Sequence, residues 1–439
     1  SAASDVYKRQ GLVFYIFFGQ NFKAKRMVSR RIKRKLRKRD YHSIVNIDSL
    51  PLNEESKQEI RLCHSLCSVP YYSGSHVKIF TSGEDKFKHY LQDLEIAQEY
   101  IHIQYYIFED DKLGNRVKEV LLRCARRGIQ IRILYDDVGC WSVKKRFFKE
   151  MQDAGIAVRP FLEITFPQLA SRINYRNHRK ITVIDGKVGF IGGINISDEY
   201  INKKERFGHW KDTGLMFKGP GVENLTIMFL EMWNAFEEKE GGYRDFVPAE
   251  YEEKGGEGDG YILSFSDSPL DDENASENVY ADILYNANDY VYITTPYLAI
   301  DSSLQNALCL AAKRGVDVRL ITPGIPDKKM VYRLTRSYYA SLIRAGVKIY
   351  EYTPGFVHAK SYVADDKIGV VGTINMDYRS LYLHFECGTL MYDSPAVIDL
   401  RNDDLATIEK CRKIELSDCR TSFFGELIDR ILRVLAPLL

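Results

Sequence analysis

Apolar residues along this chain cluster in short runs that alternate with helical stretches, and the same succession occurs twice. Residues 100–107 and 290–297 are rich in β-branched and aromatic side chains, which predicts a buried strand in each place. A helical stretch follows each strand, ends at Gly128 or Gly315, and gives way to a further strand. Strands that alternate with helices predict two similar α/β layers, joined by the polar, glycine-rich residues 252–260.

A set of polar and small residues interrupts both apolar patterns at the same offset. Each copy has the order His-x-Lys, four further residues, Asp, and later a pair of small residues, one further residue and Asn. The two copies are His178, Lys180, Asp185, Gly192, Gly193 and Asn195, and His358, Lys360, Asp365, Gly372, Thr373 and Asn375. Chance rarely produces such a match, and a duplicated fold with half of a catalytic site in each copy explains it.

The motif combines residue types that suit a phosphodiester. A His and a Lys two positions apart on a strand lie on one face, because side chains alternate along a strand. The turn at Asp185 predicts a hairpin that brings Gly193 and Asn195 beside His178. Small residues there let backbone N–H groups approach an anion closely. If the halves pack about a pseudo-twofold axis, two His, two Lys and two Asn converge on one point.

Each residue type also has an ordinary structural explanation. A lone His on a strand is usually structural, a lone Lys is usually a solvated charge, and an Asp before Gly is usually a turn former. The joint, duplicated pattern favours catalytic histidines, whereas Asp185 and Asp365 also suit a local role in tying a hairpin or orienting a neighbour. Asp212 and Glu386 occupy similar places in the repeat and are candidates to orient the two imidazoles, with a structural ion pair as the alternative.

Composition adds few constraints. The 439 residues are 45% hydrophobic and 28% charged, which is ordinary for a globular protein of two or three domains. The eight cysteines show no ligand spacing: Cys63 and Cys67 flank His64, but no second pair completes a zinc site. We therefore expect ordinary thiols in a reducing compartment. The sequence also has no Asp/His cluster with metal-ligand spacing, so we expect no metal and no cofactor.

Charge is concentrated near the N-terminus. The net charge is +2, but residues 23–39 hold 11 basic and no acidic residues, so the remainder carries about −9 (+2 − 11). A solvated basic segment is the plainest explanation. The apolar residues 11–19 are too short to cross a bilayer, which needs about 20 residues. They are interpreted as the end of a truncated transmembrane helix, with a basic cytoplasmic flank that attracts anionic lipid. The negative remainder argues against nucleic-acid binding.

These patterns divide the chain into six segments. Residues 1–10 have the look of a cloning or sequencing scar, and residues 11–40 form the membrane-helix end with its basic flank. The other segments are a connecting stretch at 41–75, the first half at 76–251, the linker at 252–260 and the second half at 261–439.

The two motifs resemble the signature of the phospholipase D superfamily, which is two His-x-Lys-x4-Asp motifs, each followed by Gly-(Gly/Ser)-x-Asn. Within that superfamily, the chain is most similar to bacterial cardiolipin synthases in residues 176–180, 192–200, 209–213, 295–297, 358–360 and 375–381. The resemblance covers roughly residues 11–439. It implies two phospholipase D-like α/β/α halves, each a mixed sheet flanked by helices, with the active site between them and without a metal. The family usually has two transmembrane helices, most of which this sequence lacks.

The resemblance also implies a reaction and its location. One phosphatidylglycerol gives its phosphatidyl group to another, forming cardiolipin and glycerol through a phosphohistidine at His178, with His358 as acid and base. The other implied site residues are the catalytic Lys180, Lys360, Asp185 and Asp365 and the substrate-binding Asn195, Asn375, Gly193 and Thr373. The expected location is the bacterial cell membrane, with the catalytic halves on the cytoplasmic side and an anionic membrane surface as partner.

Two other functions remain open at this point. A hydrolase of the same superfamily, either a phospholipase D or a nuclease, would use the same chemistry with water as the second acceptor. A catalytically inactive membrane scaffold would use no chemistry, and the intact His and Lys in both copies argue against it. The membrane-helix remnant favours a lipid acceptor. The sequence leaves the oligomeric state open.

Overall fold

The computed structural model describes residues 47–50, 52, 54–163, 175–236, 242–248, 258–271 and 273–438. The scar, the membrane-helix end and the basic flank predicted for residues 1–40 lie outside the described residues, as does most of the predicted linker at 252–260. Within the part of the chain that the structure describes, no helix combines the length and the apolar character that crossing a membrane requires.

The first half is built on one mixed sheet. The strands of this half are β1 (His76–Phe80), β2 (Tyr100–Tyr105), β3 (Gln130–Asp136), β4 (Ala157–Phe161), β5 (Ile181–Ile184), β6 (Val188–Gly192), β7 (His209–Lys211), which lies outside the sheet, and β8 (Gly214–Lys218). The sheet order is β1-β8-β6-β5-β2-β3-β4, with β2, β3 and β4 parallel and the other neighbours antiparallel. All six residues of β2 are buried, including His102 and Gln104, so this strand is covered on both faces.

The second half repeats this sheet. Its strands are β9 (Tyr261–Asp267), β10 (Tyr290–Thr294), β11 (Leu298–Ala299), β12 (Asp317–Pro323), β13 (Lys348–Tyr352), β14 (Gly355–Val357), β15 (Ser361–Ala364), β16 (Ile368–Gly372), β17 (Met376–Asp377), β18 (Glu386–Tyr392) and β19 (Cys411–Ile414). The main sheet has the order β9-β18-β16-β15-β10-β12-β13-β19. Among the described residues this is the order of the first sheet with β19 added at one edge, which confirms the predicted duplication.

Helices flank both sheets, and a corresponding pair of helices in the two halves has the same kinds of capping residues. They are α1 (Glu54–Cys67), α2 (Gly83–Glu95), α3 (Lys112–Arg126), α4 (Lys145–Asp153), α5 (Val222–Asn234), α6 (Ala275–Asn286), α7 (Ser302–Lys313), α8 (Lys329–Ala345), α9 (Tyr378–Tyr382), α10 (Pro395–Ile408) and α11 (Phe423–Leu435). Asp111 and Asp301 cap α3 and α7 by accepting a backbone N–H at 2.9 and 3.0 Å. Gly128 and Gly315 follow these helices with φ of 88° and 100°, the left-handed conformation that glycine adopts without strain.

The two halves exchange short backbone pairings at the ends of their sheets. β7 of the first half pairs in parallel with β14 of the second, and Asn177 forms a parallel bridge with Phe385. One pairing joins the residues before His358 to those before Asp212. The other joins the residue before His178 to the residue before Glu386. The two pairings are therefore related in the way that a pseudo-twofold axis requires, and they place both motifs at the junction.

The described part of the predicted connecting stretch 41–75 packs on the second half. Ile60 of α1 lies in the same hydrophobic core as Val279 of α6. Tyr72 pairs with Ile262, next to the start of β9. This segment precedes the first half along the chain and contributes to the core of the second, so it helps to join the two halves.

Candidate active site

Backbone contacts between the halves position the two motif histidines. His178 N donates to Phe385 O at 2.9 Å, and His358 N donates to Lys211 O at 2.7 Å. The histidines lie just before β5 and β15, where the chain of one half meets the chain of the other. Both side chains are largely buried, and both line a single cavity of about 430 Å³ between the halves. The structure therefore brings the two motifs together, as a shared site requires.

A carboxylate from the opposite half contacts each imidazole. His178 Nδ1 lies 2.9 Å from Glu386 Oε1, and His358 Nδ1 lies 2.7 Å from Asp212 Oδ2. An ionised carboxylate can only accept, so Nδ1 carries the proton in each neutral ring and Nε2 holds the free electron pair. The sequence singled out Asp212 and Glu386 as orienting residues, but it did not show that each contacts the histidine of the other half.

Aromatic rings hold the imidazoles on the cavity wall. Tyr106 packs edge-on against His178 with ring centroids 5.0 Å apart, and Tyr200 packs edge-on against His358 at 5.4 Å. Both tyrosines line the cavity, together with Tyr297 of the second half. Each imidazole is thus fixed by a carboxylate at Nδ1 and by an aromatic contact, so its orientation is set before any substrate binds.

Burial lowers the proton affinity of both imidazoles. Desolvation lowers the pKa of His178 to about 3 and that of His358 to about 4, although the paired carboxylates act in the opposite direction. The positive charge of Lys180 lowers both values further, and Lys360 acts on His358. Both rings are neutral at pH 7 in these surroundings. Burial therefore lowers both pKa values, and it does not by itself make one ring an acid and the other a base.

The two orienting carboxylates stay ionised although they are fully buried. Desolvation by itself would raise the pKa of Asp212 and of Glu386. The contacts with His358 and His178 outweigh desolvation, and both carboxyl groups have a pKa below the ordinary range. The charge of Lys360 contributes at Asp212. Each carboxylate therefore remains an acceptor for Nδ1–H at any pH at which the protein works.

The motif lysines are buried behind the imidazoles. Desolvation lowers the pKa of Lys180 to about 8 and that of Lys360 to about 7. Lys180 Nζ donates to His178 O at 2.6 Å, and Lys360 Nζ donates to His358 O. Neither lysine is among the described residues that line the cavity. Their catalytic role stays a prediction, and in this structure both side-chain nitrogens lie against the backbone carbonyls of the motif histidines.

The small residues after each motif contact the orienting carboxylates. A Cβ at Gly193 would lie 2.2 Å from Asp212 Oδ1, so this close approach requires glycine. In the second copy Thr373 occupies the same place and donates its hydroxyl hydrogen to Glu386. Neither residue is among those that line the cavity in the described structure. The observed contacts of Gly193 and Thr373 support the carboxylates. Their binding of substrate stays a prediction.

The two motif asparagines line the cavity directly. Asn195 Oδ1 accepts from Ile107 N at 3.1 Å, and Asn195 Nδ2 donates to Tyr200 Oη at 2.6 Å. Asn375 Oδ1 is buried and has no hydrogen-bond partner among the described residues. The first amide is held in place by its neighbours, and the second has bonding capacity left for a bound molecule.

Asp185 and Asp365, the last members of the two motifs, lie outside the cavity. Asp185 accepts three N–H bonds from residues 98–100 at 2.8–2.9 Å, and Asp365 accepts three from residues 288–290 at 2.7–3.0 Å. Both have φ of 52° at a hairpin turn. These contacts tie each hairpin to the start of β2 or β10. They correspond to the local role that the sequence left open, and the catalytic role of both residues stays a prediction.

His384 is a further imidazole that the motifs do not include. It occupies the place of Trp210 in the repeat, two residues before the orienting carboxylate. The His384 ring lies 5.7 Å from the His178 ring, and the Trp210 ring lies 5.2 Å from the His358 ring. The two half-sites therefore differ here. The alignment of residues 384–386 with 210–212 was the sequence signal that could have identified it.

Two buried positive charges support the motif segments. Lys86 of α2 donates to Ile194 O at 3.1 Å, in the loop before the first motif asparagine. Arg176 Nη2 lies 2.8 Å from Asp136 Oδ1 at the end of β3, and both side chains are buried. This pair fixes the chain two residues before His178. Motif spacing could not reveal either contact, because each joins residues that are far apart along the chain.

Among the described residues, one group of side chains could hold a metal ion. Ligand atoms of His178, His384 and Glu386 lie within 4.8 Å of one another. Glu386 is already hydrogen-bonded to His178 Nδ1 at 2.9 Å. The chemistry derived below uses the imidazoles directly, and the expected absence of a metal stays a prediction.

Comparison with known proteins identifies the family. The family model described as cardiolipin synthase, phospholipase D-like domain, matches residues 90–213 and 280–403, so that one match falls on each half and covers its motif. This chain belongs to the phospholipase D-like cardiolipin synthase family.

Curated members of the cardiolipin synthase family match nearly the whole chain. The cardiolipin synthase of Alkalihalophilus pseudofirmus is 37% identical over 440 residues, which covers 98% of this chain and 86% of that protein. The cardiolipin synthase of Halalkalibacterium halodurans is 36% identical and covers 99% of this chain and 87% of that protein. The phosphatidylserine synthase structure from Haemophilus influenzae has a TM-score of 0.62 at 14% identity, over 88% of this chain and 98% of that one. This last likeness shows the fold alone.

Proposed function

We propose that this protein is a cardiolipin synthase, which transfers the phosphatidyl group of one phosphatidylglycerol to another and releases glycerol. The observation that carries the proposal is the pair of imidazoles on one cavity, each with Nδ1 bound to a carboxylate of the opposite half. Two such rings supply the nucleophile and the acid–base group of a two-step phosphodiester exchange. The relatives at 36–37% identity support the lipid class.

In the first step His178 is the nucleophile. Its Nε2 forms a bond to phosphorus while the bond from phosphorus to the headgroup glycerol oxygen breaks, and Glu386 holds Nδ1–H. His358 gives the proton on its Nε2 to the departing oxygen, and glycerol leaves. The covalent phosphatidyl-histidine divides one difficult displacement into two easier ones.

In the second step the acceptor is a hydroxyl of another phosphatidylglycerol. Neutral His358 takes the hydroxyl proton while the oxygen forms a bond to phosphorus and the bond between His178 Nε2 and phosphorus breaks. The product is cardiolipin. His178 is again a free base and His358 is again protonated, so the cycle is closed without a cofactor.

His358 takes up the proton that it needs because the bound substrate raises its pKa. The surroundings described above leave both rings neutral at pH 7, with pKa values of about 3 and 4. A phosphodiester anion between two imidazoles raises the pKa of both, because an opposite charge favours the protonated form. Once one ring holds a proton, repulsion disfavours a second, so one acid and one nucleophile result from two similar groups.

Stabilisation of the phosphate charge is assigned to the motif lysines and asparagines. Lys180 and Lys360 place their side-chain nitrogens against the backbone carbonyls of His178 and His358, and Asn195 and Asn375 line the cavity. Such preorganised charges and donors stabilise the extra negative charge of the transition state. Gly193 and Thr373 act through the carboxylates that they contact.

The proposed location is the bacterial cell membrane, with both halves on the cytoplasmic side. Phosphatidylglycerol is an anionic membrane lipid, so the enzyme must work at a lipid surface. The 11 basic residues at 23–39 favour attraction to such a surface. Nucleic acid is not a proposed substrate.

Product analysis tests the proposal. The protein is incubated with phosphatidylglycerol in detergent micelles, and the products are resolved by mass spectrometry. Cardiolipin and glycerol in equal amounts are expected, and they should be absent with His178→Asn and present with the control His89→Asn, which lies outside the cavity. Phosphatidic acid without cardiolipin would show a hydrolase instead. No lipid product at all would contradict the enzymatic proposal.

A further inference from the structure

One face of the C-terminal helix α11 is apolar and points away from the protein. Seven large apolar side chains on this helix are between 40% and 79% exposed, and together they are called the apolar stripe: Phe423, Phe424, Leu427, Ile428, Ile431, Val434 and Leu435. At about 100° per residue, they fill one continuous arc of about 140° around the helix axis. A helix of a globular protein normally turns such an arc toward the core.

The opposite face of α11 attaches the helix to α8. Leu432 is buried between them, Arg333 Nε lies 2.7 Å from Asp429 Oδ1, and Arg433 Nε donates to Ser337 Oγ at 3.1 Å. These contacts fix the rotation of α11 about its own axis. The apolar stripe is therefore held outward, and each of its side chains is at least 40% exposed.

The apolar stripe lies beside the active-site cavity. Ala436, which directly follows α11, lines the cavity, as do Val331 and Leu334 of α8. Met330, in the first turn of α8, is 59% exposed, and Ile325, shortly before it, is 39% exposed. Exposed apolar side chains thus lie on the second half next to residues that line the cavity.

The charge next to the apolar stripe indicates what covers it. The groove between α8 and α11 is lined by five arginines and three carboxylates. The arginines are Arg333, Arg336, Arg344, Arg430 and Arg433. An apolar arc bordered by an excess of basic groups is typical of a helix that lies in the plane of a membrane with anionic lipids.

We propose that the apolar stripe inserts into the interfacial layer of an anionic phospholipid bilayer and holds the cavity against the lipid surface. This inference rests on the proposed function for its choice of a lipid as the covering partner. A substrate with two acyl chains can then reach the cavity without leaving the bilayer entirely. The attachment is independent of residues 11–39, because it is made by the second half itself.

Comparing rates on two forms of the same lipid tests this docking. The triple variant Phe423→Ser/Phe424→Ser/Val434→Ser is compared with Ile96→Ser, which removes an apolar side chain that is 68% exposed and outside the cavity. On vesicles of phosphatidylglycerol and phosphatidylcholine the triple variant should be slower by about tenfold or more. On phosphatidylglycerol in detergent micelles it should stay within about twofold, and Ile96→Ser should change neither rate. Unchanged vesicle rates for the triple variant would overturn the docking proposal.

A photo-crosslinking experiment covers the case in which the triple variant fails to fold. A benzophenone side chain replaces Phe424 in one protein and Ile96 in another, and each is irradiated on the same vesicles. A phospholipid adduct at position 424 and none at 96 is expected. A protein–protein adduct at 424 without lipid would show an interface between copies of the chain and would overturn the proposal. A lipid adduct in a protein that makes no cardiolipin would overturn the proposed function alone.

Discussion

At the residue scale, Glu386 and Asp212 control the two imidazoles from the opposite half. Glu386→Gln and Asp212→Asn remove the charge that fixes Nδ1–H and stabilises a protonated ring. Each variant should lower kcat on micellar phosphatidylglycerol by about 100-fold or more. Glu277→Gln is the control, because this buried carboxylate contacts Tyr382 outside the cavity. Full activity in both site variants would contradict the orienting role.

The pKa values of the histidines predict how stability depends on pH. An unfolded histidine has a pKa of about 6.5, whereas His178 and His358 have values of about 3 and 4 in the folded protein. Below pH 6.5 the unfolded chain binds protons that the folded protein does not, so the free energy of unfolding falls as the pH falls. Each ring should contribute about 1.4 kcal/mol per pH unit between roughly pH 6 and pH 4.

Urea unfolding at pH 7 and pH 5 measures this dependence. The double variant His178→Gln/His358→Gln should lose less free energy of unfolding than the unchanged protein over this interval, because its side chains at these positions do not titrate. His102, which is also buried with a lowered pKa, contributes equally to both proteins and cancels. An equal loss in the two proteins would show that the motif histidines are not held neutral by burial.

The motif lysines are expected to act in the transition state. Lys180→Met and Lys360→Met should each lower kcat by about 100- to 1000-fold, because removal of one stabilising donor from such a site has this effect. Melting temperatures should stay high, since a buried charge is replaced by an apolar side chain of similar length. Lys149→Met, on the exposed surface of α4, is the control. Near-normal turnover in either site variant would contradict a role in phosphate stabilisation.

The sequence identified the site residues that repeat and missed those that do not. His178, Lys180, Asn195 and their counterparts were found because the same residue types recur at one offset. His384 was not assigned a role, because its counterpart is Trp210 and only the alignment of residues 384–386 with 210–212, not a shared residue type, marks its position. The asymmetry between the half-sites therefore depends on features that only the structure shows.

At the scale of elements, Asp185 joins the β5–β6 hairpin to β2. It accepts three backbone N–H bonds, and Asp185→Asn leaves one oxygen to accept them while keeping a residue that tolerates positive φ. The variant should lower the free energy of unfolding by about 1–2 kcal/mol and leave kcat nearly unchanged. Urea unfolding measures the first and micellar turnover the second, with Asp153→Ala on the surface as control. Lost turnover in a stable protein would instead support the predicted catalytic role of Asp185.

Most sheet strands could be predicted from the sequence, and the contacts between halves could not. Apolar runs and turn signals indicate β2, β10 and their following helices, because these depend on neighbouring residues. The pairing of β7 with β14 and the packing of α1 on α6 join segments that lie far apart along the chain. Only three-dimensional packing determines them, so local patterns give no sign of either.

At the scale of the whole molecule, neither half contains a complete site. His178 of the first half depends on Glu386 of the second, and His358 of the second depends on Asp212 of the first. Duplication was evident in the sequence, but the exchange of carboxylates requires the pairing of the two halves at the junction. The cavity and its catalytic groups are therefore complete only where the two halves meet, and the proposed membrane-facing helix lies next to them.

Trapping the covalent intermediate is the most direct test of the two-step mechanism through His178. The protein reacts briefly with phosphatidylglycerol labelled in its phosphate, the reaction is stopped at alkaline pH, and the peptides are mapped by mass spectrometry. A phosphatidyl group on His178 is expected, and it should disappear when unlabelled phosphatidylglycerol is added as acceptor. Label on His358 would reverse the roles of the two rings, and cardiolipin formation with no label on either histidine would contradict the two-step mechanism.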